Sequence, residues 1–268
     1  MARWRRESSR PGAPVVAIRL PLPVQAERLA KHDRADFAQE FLRRNAGYRA
    51  AWAASRAASP VPGRPEIADG AARHWGLVRL FDPDRPVRST PAIWRADCAS
   101  QIVSLGPVPA DFTGAAPLPE TAPLADLDVE DARHIVLDIA GVRHRLHVRA
   151  AAPRAPLAIL LPPLGDALRA AACDATRRMF AGLSTSEPAS VLRPSALQRQ
   201  RLALLLRVLD ASLAGASNRD IGLRIVYPWL AAIDALAWKA TGERRRVQRL
   251  VAESRDLAAS GYRDLLRA

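Results

Sequence analysis

The sequence contains few of the residues on which secreted and membrane proteins depend. Its 268 residues include two cysteines and two lysines. Cys98 and Cys173 are far apart and have no paired spacing, so a disulfide framework is not supported and a reducing cytoplasm is expected. No run of about 18 apolar residues occurs, which excludes a membrane-spanning helix. We therefore expect a cytoplasmic protein that has no membrane partner.

Catalytic and metal-binding motifs are also missing. The five histidines are scattered, and His144 and His147 stand three apart on a predicted strand. Their side chains should point to opposite faces, so they cannot hold one ion together without a bulge. The chain has no Gly-rich phosphate loop and no G-x-S-x-G nucleophile elbow. We predict no catalytic residues, no metal site and no cofactor, and we expect a protein that is not an enzyme.

What the sequence has in excess is arginine. Lysine and arginine together number 40 against 27 acidic residues, which gives a formal net charge of +13 and a pI near 11.2. Such a surplus favours a polyanionic partner, which is DNA, RNA or, less favourably, an anionic membrane surface. Many alanines and prolines and few lysines are also typical of a GC-rich genome, so the overall composition does not by itself establish nucleic-acid binding.

Three helices are predicted in the last quarter of the chain. The first spans 195–214, where leucines recur at helical spacing up to Gly215, a typical C-terminal cap. The second begins after Ser217, whose side chain can accept from the first free backbone N–H groups, and Pro228 limits its length. Thr241 is the predicted N-cap of the third. Three such helices predict a helix-turn-helix-like unit.

The third helix has one apolar face and one basic face. Val247, Leu250 and Val251 fall together on a helical wheel, and arginines and a glutamine fall opposite them. Arginine can pair with guanine and glutamine with adenine in a major groove, while neighbouring arginines can hold phosphates. An amphipathic helix with a merely solvated charged face is the alternative. The predicted DNA-binding residues of this helix and the preceding one are Arg219, Arg224, Arg244, Arg245, Gln248, Arg249 and Arg255.

The rest of the pattern predicts a fold of two domains. Aromatic residues four apart predict helices over Asp36–Ala57 with a break near Asn45–Gly47, and alternation over His134–Arg149 predicts a β-hairpin. The fold class is therefore α+β, mainly α: a small helical N-terminal domain, then a β-hairpin or small sheet followed by a helix-turn-helix-like helical bundle. The predicted divisions are a flexible basic arm at 1–33, the N-terminal domain at 34–106, a Pro-rich linker at 107–131 and a C-terminal domain at 132–268 with the helix-turn-helix-like unit at 195–268.

Two groups of motifs resemble known bacterial domains. Three stretches resemble the transcriptional-regulator-like N-terminal domain found in many proteobacterial proteins: FAQEFLRRNAGYRAAW (Phe37–Trp52), ARHWGLVRLFDPDRP (Ala72–Pro86) and AIWR (Ala92–Arg95). A second group resembles the helix-turn-helix-like C-terminal domain of unknown function that often accompanies it: GASNRDIG (Gly215–Gly222), Trp238, RRRVQRLV (Arg244–Val251) and SGYRDLL (Ser260–Leu266). The pair is similar to the excision activators of integrative and conjugative elements, which switch on genes for excision and transfer.

The resemblance implies a sequence-specific transcriptional regulator, an activator linked to a mobile element, with double-stranded DNA as its partner. One departure is the connection at 226–240, where about three or four residues are usual in a helix-turn-helix. Small relatives of the C-terminal domain are similar to antiactivators that bind the activator itself. The alternative is therefore a protein-binding antiactivator or adaptor, whose partner is a regulatory protein or a second copy of the chain. A non-specific nucleic-acid binder that uses charge alone is the third possibility.

Overall fold

The computed structural model describes residues 29–57, 70–109, 111–129, 131–149, 154–163, 165–183, 191–230 and 233–267. These residues form a mixed structure of helices and one five-stranded sheet. The N-terminal helices are α1 (Arg34–Leu42), α2 (Ala46–Ala57) and α3 (Gly70–His74). The strands are β1 (Ile102–Pro107), β2 (Ala125–Val129), β3 (Ala132–Ile139), β4 (Val142–Arg149) and β5 (Leu157–Leu160).

The C-terminal helices begin with α4 (Ala167–Phe180) and α5 (Ala196–Leu213). Next come the short α6 (Asn218–Ile221), a π-helical turn (Gly222–Val226) and a 3₁₀ turn (Pro228–Leu230). The last elements are α7 (Ala235–Ala240), α8 (Gly242–Ala259) and a 3₁₀ turn (Gly261–Leu266). No helix in these described ranges is both long enough and apolar enough to cross a membrane.

The sheet has the strand order β2-β3-β4-β1-β5, in which β1 and β4 are parallel and the other neighbours are antiparallel. Strands β3 and β4 form the antiparallel pair predicted over His134–Arg149, with Ile139 opposite Val142. The turn residues Ala140 and Gly141 have φ values of 52° and 79°, as the two central residues of a type I′ turn require. Strand β1 comes from the N-terminal half of the chain and lies between β4 and β5, so both halves contribute to one sheet.

The two faces of the sheet pack against different parts of the chain. Side chains alternate along each strand, so Leu146 lies on one face and Arg145 on the other. The face with Leu146 forms an apolar core with α4, to which Leu168 and Cys173 contribute. On the opposite face, Arg145 is bonded to Asp33 at the start of α1. The sheet is thus a middle layer between the N-terminal helices and α4.

The N-terminal helices also share a core with the C-terminal ones. Phe37 and Phe41 of α1 belong to the same buried apolar cluster as Leu205 and Tyr262. Backbone contacts join the same regions, since Ser100 N donates to the carbonyl oxygen of Leu266 at 2.8 Å. The sequence also predicts that residues 130–268 fold without the N-terminal half, and limited proteolysis tests that prediction. The shared core instead favours unfolding of the two halves as one unit.

Several local predictions can be compared directly with the structure. The predicted break near Asn45–Gly47 separates α1 from α2, and Gly215 follows α5 with a φ of 82°. Most of the predicted basic arm, residues 1–28, lies outside the described residues. Of its last five residues, Leu29, His32 and Asp33 are buried, and the side chain of Asp33 caps α1 by accepting from Asp36 N at 2.9 Å. The division between the arm and the N-terminal domain at residue 33 stays a prediction.

Candidate nucleic-acid interface

Helix α8 is fixed in its orientation by its cap and its apolar side. Thr241 precedes the helix, and its hydroxyl accepts from Arg244 N at 3.3 Å, as a typical N-cap side chain does. Val247, Leu250 and Val251 are buried, and they pack in the cluster that contains the leucines of α5. The apolar face predicted for this helix is confirmed. Since that face is fixed, the opposite face must point to solvent.

The solvent face of α8 carries an unpaired row of polar side chains. Arg245, Gln248 and Arg249 are all exposed, and Arg246 is exposed beside them. In the described parts of the chain, none of these four side chains has a hydrogen bond or an ion pair. Their donor groups are consequently free to bind a ligand. Arg246 was not among the predicted residues, although its place in the Glu243–Arg246 cluster at the helix start was a usable signal.

The other predicted residues are placed less uniformly. Arg224 is exposed in the π-helical turn, and Arg244 is exposed with one N–H directed to the carbonyl oxygen of Lys239 at 3.4 Å. Arg255 is exposed but donates to Ser212 Oγ at 2.8 Å. Arg219 is half-buried, and its Nη2 donates to the carbonyl oxygen of Ile233 at 2.6 Å. Arg219 is therefore held inside the protein more firmly than the rest.

Two other arginines that contact this helical region are neutralised by acids. Arg201 of α5 donates to both carboxylate oxygens of Glu253 in α8, at 2.8 and 2.7 Å. Arg44, in the turn after α1, makes two hydrogen bonds to Asp210 of α5, the longer of which is 3.0 Å. These pairs join helices to one another, whereas the row on α8 joins nothing in the described structure. The unpaired row is thus the part of this region available to an anionic partner.

The long connection at 226–240 is built from short helical pieces. Trp238 of α7 is buried against Gly222: a Cβ atom added to Gly222 would lie 2.4 Å from a ring carbon of Trp238. No side chain larger than hydrogen fits at this contact without a shift. The connection also exposes two large apolar side chains, Trp229 and Leu236. The prediction recognised the length of this segment but not its contacts.

Three of the histidines lie on strands β3 and β4 of the sheet. His144 is buried on the sheet face next to α4, and burial lowers its pKa to about 4. His147 lies on the opposite face, where its ring is 4.9 Å from that of His134. Within the residues that the structure describes, no group of three or more His, Cys, Asp or Glu side chains could hold a metal ion.

Two family models match separate parts of the chain. Residues 150–267 match one described as the DNA-binding domain of a T6SS transcription factor. Residues 22–78 match one described as a proteobacterial transcriptional regulator-like domain. No curated protein matches the chain. Because the first match contains all of α8, the two matches together support a DNA-binding transcriptional regulator. Neither description mentions the excision of a mobile element.

Proposed function

We propose that the protein is a sequence-specific transcriptional regulator that reads double-stranded DNA with the solvent face of α8. The observation that carries the proposal is the unpaired row of Arg245, Gln248 and Arg249. Arginine can bond to both acceptors of guanine and glutamine to adenine, and these are the side-chain pairings that distinguish bases in the major groove. The match of residues 150–267 to a DNA-binding domain supports the same interpretation.

We assign contacts with the DNA backbone to other exposed arginines around this row. Arg224, Arg244 and Arg246 are exposed near the start of α8 or in the turn that precedes it. Bonds to phosphates fix the position of a protein on DNA without carrying sequence information. They also release counterions, so the affinity should fall steeply as the salt concentration rises. Base contacts from three residues and phosphate contacts from the others would together give specific binding.

Titration of labelled duplexes at a fixed salt concentration tests the proposal. The parent protein is titrated with the promoter fragment that it enriches from genomic DNA and with a scrambled duplex of equal length. Specific recognition predicts an affinity ratio of about 10³ or more. A ratio near one would mean that charge alone drives binding. Binding to neither duplex, together with capture of a regulatory protein, would replace the proposal by the antiactivator or adaptor.

The genes under control are a separate part of the proposal. The resemblance to excision activators supports an activator of excision and transfer genes on a mobile element, whereas the matched domain description names a T6SS transcription factor. Chromatin immunoprecipitation with sequencing, combined with transcript levels in a deletion strain, distinguishes the two. We expect bound promoters next to integrase or conjugation genes, and lower transcript levels after deletion. Bound promoters at secretion genes, or higher transcript levels, would contradict that assignment.

A further inference from the structure

The connection at 226–240 is anchored to the rest of the helical unit at two points. Arg219 in α6 donates to the carbonyl oxygen of Ile233 at 2.6 Å, which ties the middle of the connection to the helix before it. Trp238 packs on Gly222 with no space for a Cβ atom. The Nε atom of Arg219 is buried as well. These anchors give the connection a defined position on the helical unit in place of the freedom of an open loop.

Two large apolar side chains project from this anchored segment. Trp229 is 73% exposed and Leu236 is 79% exposed. The ring of Trp229 stands edge-on to the ring of Tyr227, with centroids 5.5 Å apart. Other tryptophans among the described residues are buried or half-buried, so Trp229 differs from them in being presented to solvent. A single exposed leucine is ordinary, but an exposed tryptophan on an anchored surface indicates a contact.

The connection also runs directly into the basic end of α8. Thr241 ends α7 and caps α8, and its hydroxyl donates to the carbonyl oxygen of Trp238 at 2.9 Å. Because Trp238 points inward, Leu236 and Lys239 fall on the outer side of α7. Arg244 then reaches back to the carbonyl oxygen of Lys239. Leu236 thus lies one helical turn before Lys239, whose carbonyl oxygen accepts from the first arginine of α8.

We propose that the connection is a second DNA-contacting surface, in which Trp229 and Leu236 touch sugars and base edges beside the groove entered by α8. Arg219 positions this surface through its bond to the carbonyl oxygen of Ile233. The sequence had instead predicted that Arg219 contacts DNA. The inference rests on the proposed function and adds residues to the same site. DNA fits this surface better than a protein does, because the segment from Arg219 to Arg249 inclusive has seven basic and three acidic residues. Aromatic and apolar side chains commonly stack on or wedge between bases.

Alanine substitutions at the two exposed positions test the surface. Trp229→Ala should weaken binding to the promoter duplex roughly 5- to 150-fold, the range found when a base-stacking aromatic is removed. Leu236→Ala should weaken it less. Leu197→Ala is the matched control, because Leu197 is 77% exposed but lies at the start of α5; it should bind as the parent does. Circular dichroism should be unchanged for all three. Parent-like affinity of Trp229→Ala would overturn the proposal.

The role of Arg219 is tested by the dependence of affinity on salt concentration. A positioning residue predicts that Arg219→Ala weakens promoter binding while the slope of log affinity against log salt stays at the parent value. Arg219→Lys, which keeps a donor within reach of the carbonyl oxygen of Ile233, should restore part of the affinity. A slope reduced by about one unit would show a phosphate contact and overturn the positioning role.

Failure of the proposed function would appear in a different measurement. The unsubstituted protein would then bind promoter and scrambled duplexes equally. The proposal of a second DNA-contacting surface would be wrong as well. If the unsubstituted protein binds specifically and Arg249→Ala weakens it, but Trp229→Ala and Leu236→Ala do not, the second surface alone is wrong. The two proposals are therefore separable within one set of titrations.

Discussion

Arginine serves two different purposes in the sheet and in the last helix. On β4, the side chains of Arg143 and Arg145 are 3% and 4% exposed, and both are paired with carboxylates at the start of α1. On α8, Arg245 and Arg249 are exposed and unpaired in the described structure. The residue type is the same, but the first pair holds the molecule together and the second is free to bind a partner.

The physical reason for the difference is the cost of removing a charge from water. A buried ion costs several kcal/mol unless another charge and hydrogen bonds compensate it. Asp33 meets this requirement: burial acts to raise its pKa, but Arg145 more than offsets that effect and its pKa is lowered. The pKa of Asp36 is raised by burial and by the neighbouring Asp33. Exposed arginines carry no such cost, so they can remain unpaired.

Removing Arg145 gives the largest expected effect. Arg145→Ala leaves Asp33 and Asp36 buried with Arg143 as their remaining arginine, so we expect a loss of about 3–5 kcal/mol in the free energy of unfolding. Urea denaturation measures it. Arg133→Ala is the matched control, because Arg133 also pairs with an aspartate on the sheet but is 45% exposed; it should lose less than about 1 kcal/mol. Equal losses of unfolding free energy in the two variants would mean that burial does not determine how much an arginine contributes to stability.

His144 gives a smaller effect that depends on pH. It stands between the two buried arginines on β4 but points to the other face, and burial lowers its pKa to about 4 from an ordinary value of 6.5. The unfolded chain therefore binds this proton first, so the stability contributed by neutral His144 is complete above pH 6.5 and declines as the pH falls toward 4. The decline should be roughly 3 kcal/mol.

The comparison that isolates His144 uses His144→Leu, whose side chain does not titrate. Thermal or urea unfolding of both proteins at pH 7, 5.5 and 4 gives the difference directly. We expect the substituted protein to lose less stability on acidification than the parent. Parallel losses in both proteins would show that other groups carry the acid sensitivity.

Sequence reasoning succeeded where the signal is local. Gly215 and Thr241 mark helix ends through their own backbone or side-chain chemistry, and the structure places both as predicted. Alternation over His134–Arg149 was sufficient for the β3–β4 pair because the partners are adjacent in sequence. The apolar face of α8 followed from helical spacing alone, and that face determined which side chains are exposed.

Sequence reasoning failed where the interacting residues are far apart in the sequence. The composition of residues 107–131 indicated a linker, but strand β1 on one side of it pairs with strands on the other side. Asp36 was noted only as the start of the predicted helices over Asp36–Ala57, and its ion pair with Arg143 spans more than a hundred residues. The bond of Arg219 to a backbone carbonyl has no signature in the sequence. Such pairings depend on the topology of the whole chain and not on spacing.

Among the exposed arginines of α8, Arg249 gives the clearest test of a base contact. If its side chain bonds to a base, Arg249→Ala should remove about 1–3 kcal/mol of binding free energy and flatten the preference at one operator position. The stability of the protein should not change, since the side chain is exposed and has no hydrogen bond or ion pair in the described structure. Binding to a set of single-base operator variants measures both quantities. An unchanged preference at every position would exclude a base contact.

Arg244 should give the smallest effect, because its exposed guanidinium at the start of α8 is placed to hold a phosphate. A phosphate contact carries no sequence information, so Arg244→Ala should weaken promoter and scrambled duplexes about equally and leave their affinity ratio unchanged. The salt slope should fall by about one unit. The measurement is a salt series on both duplexes, with Arg201→Ala as the control because Arg201 is paired with Glu253. If Arg244→Ala instead lowers the ratio of promoter affinity to scrambled-duplex affinity, Arg244 contacts a base. The assignment of Arg244 to a phosphate would then be wrong.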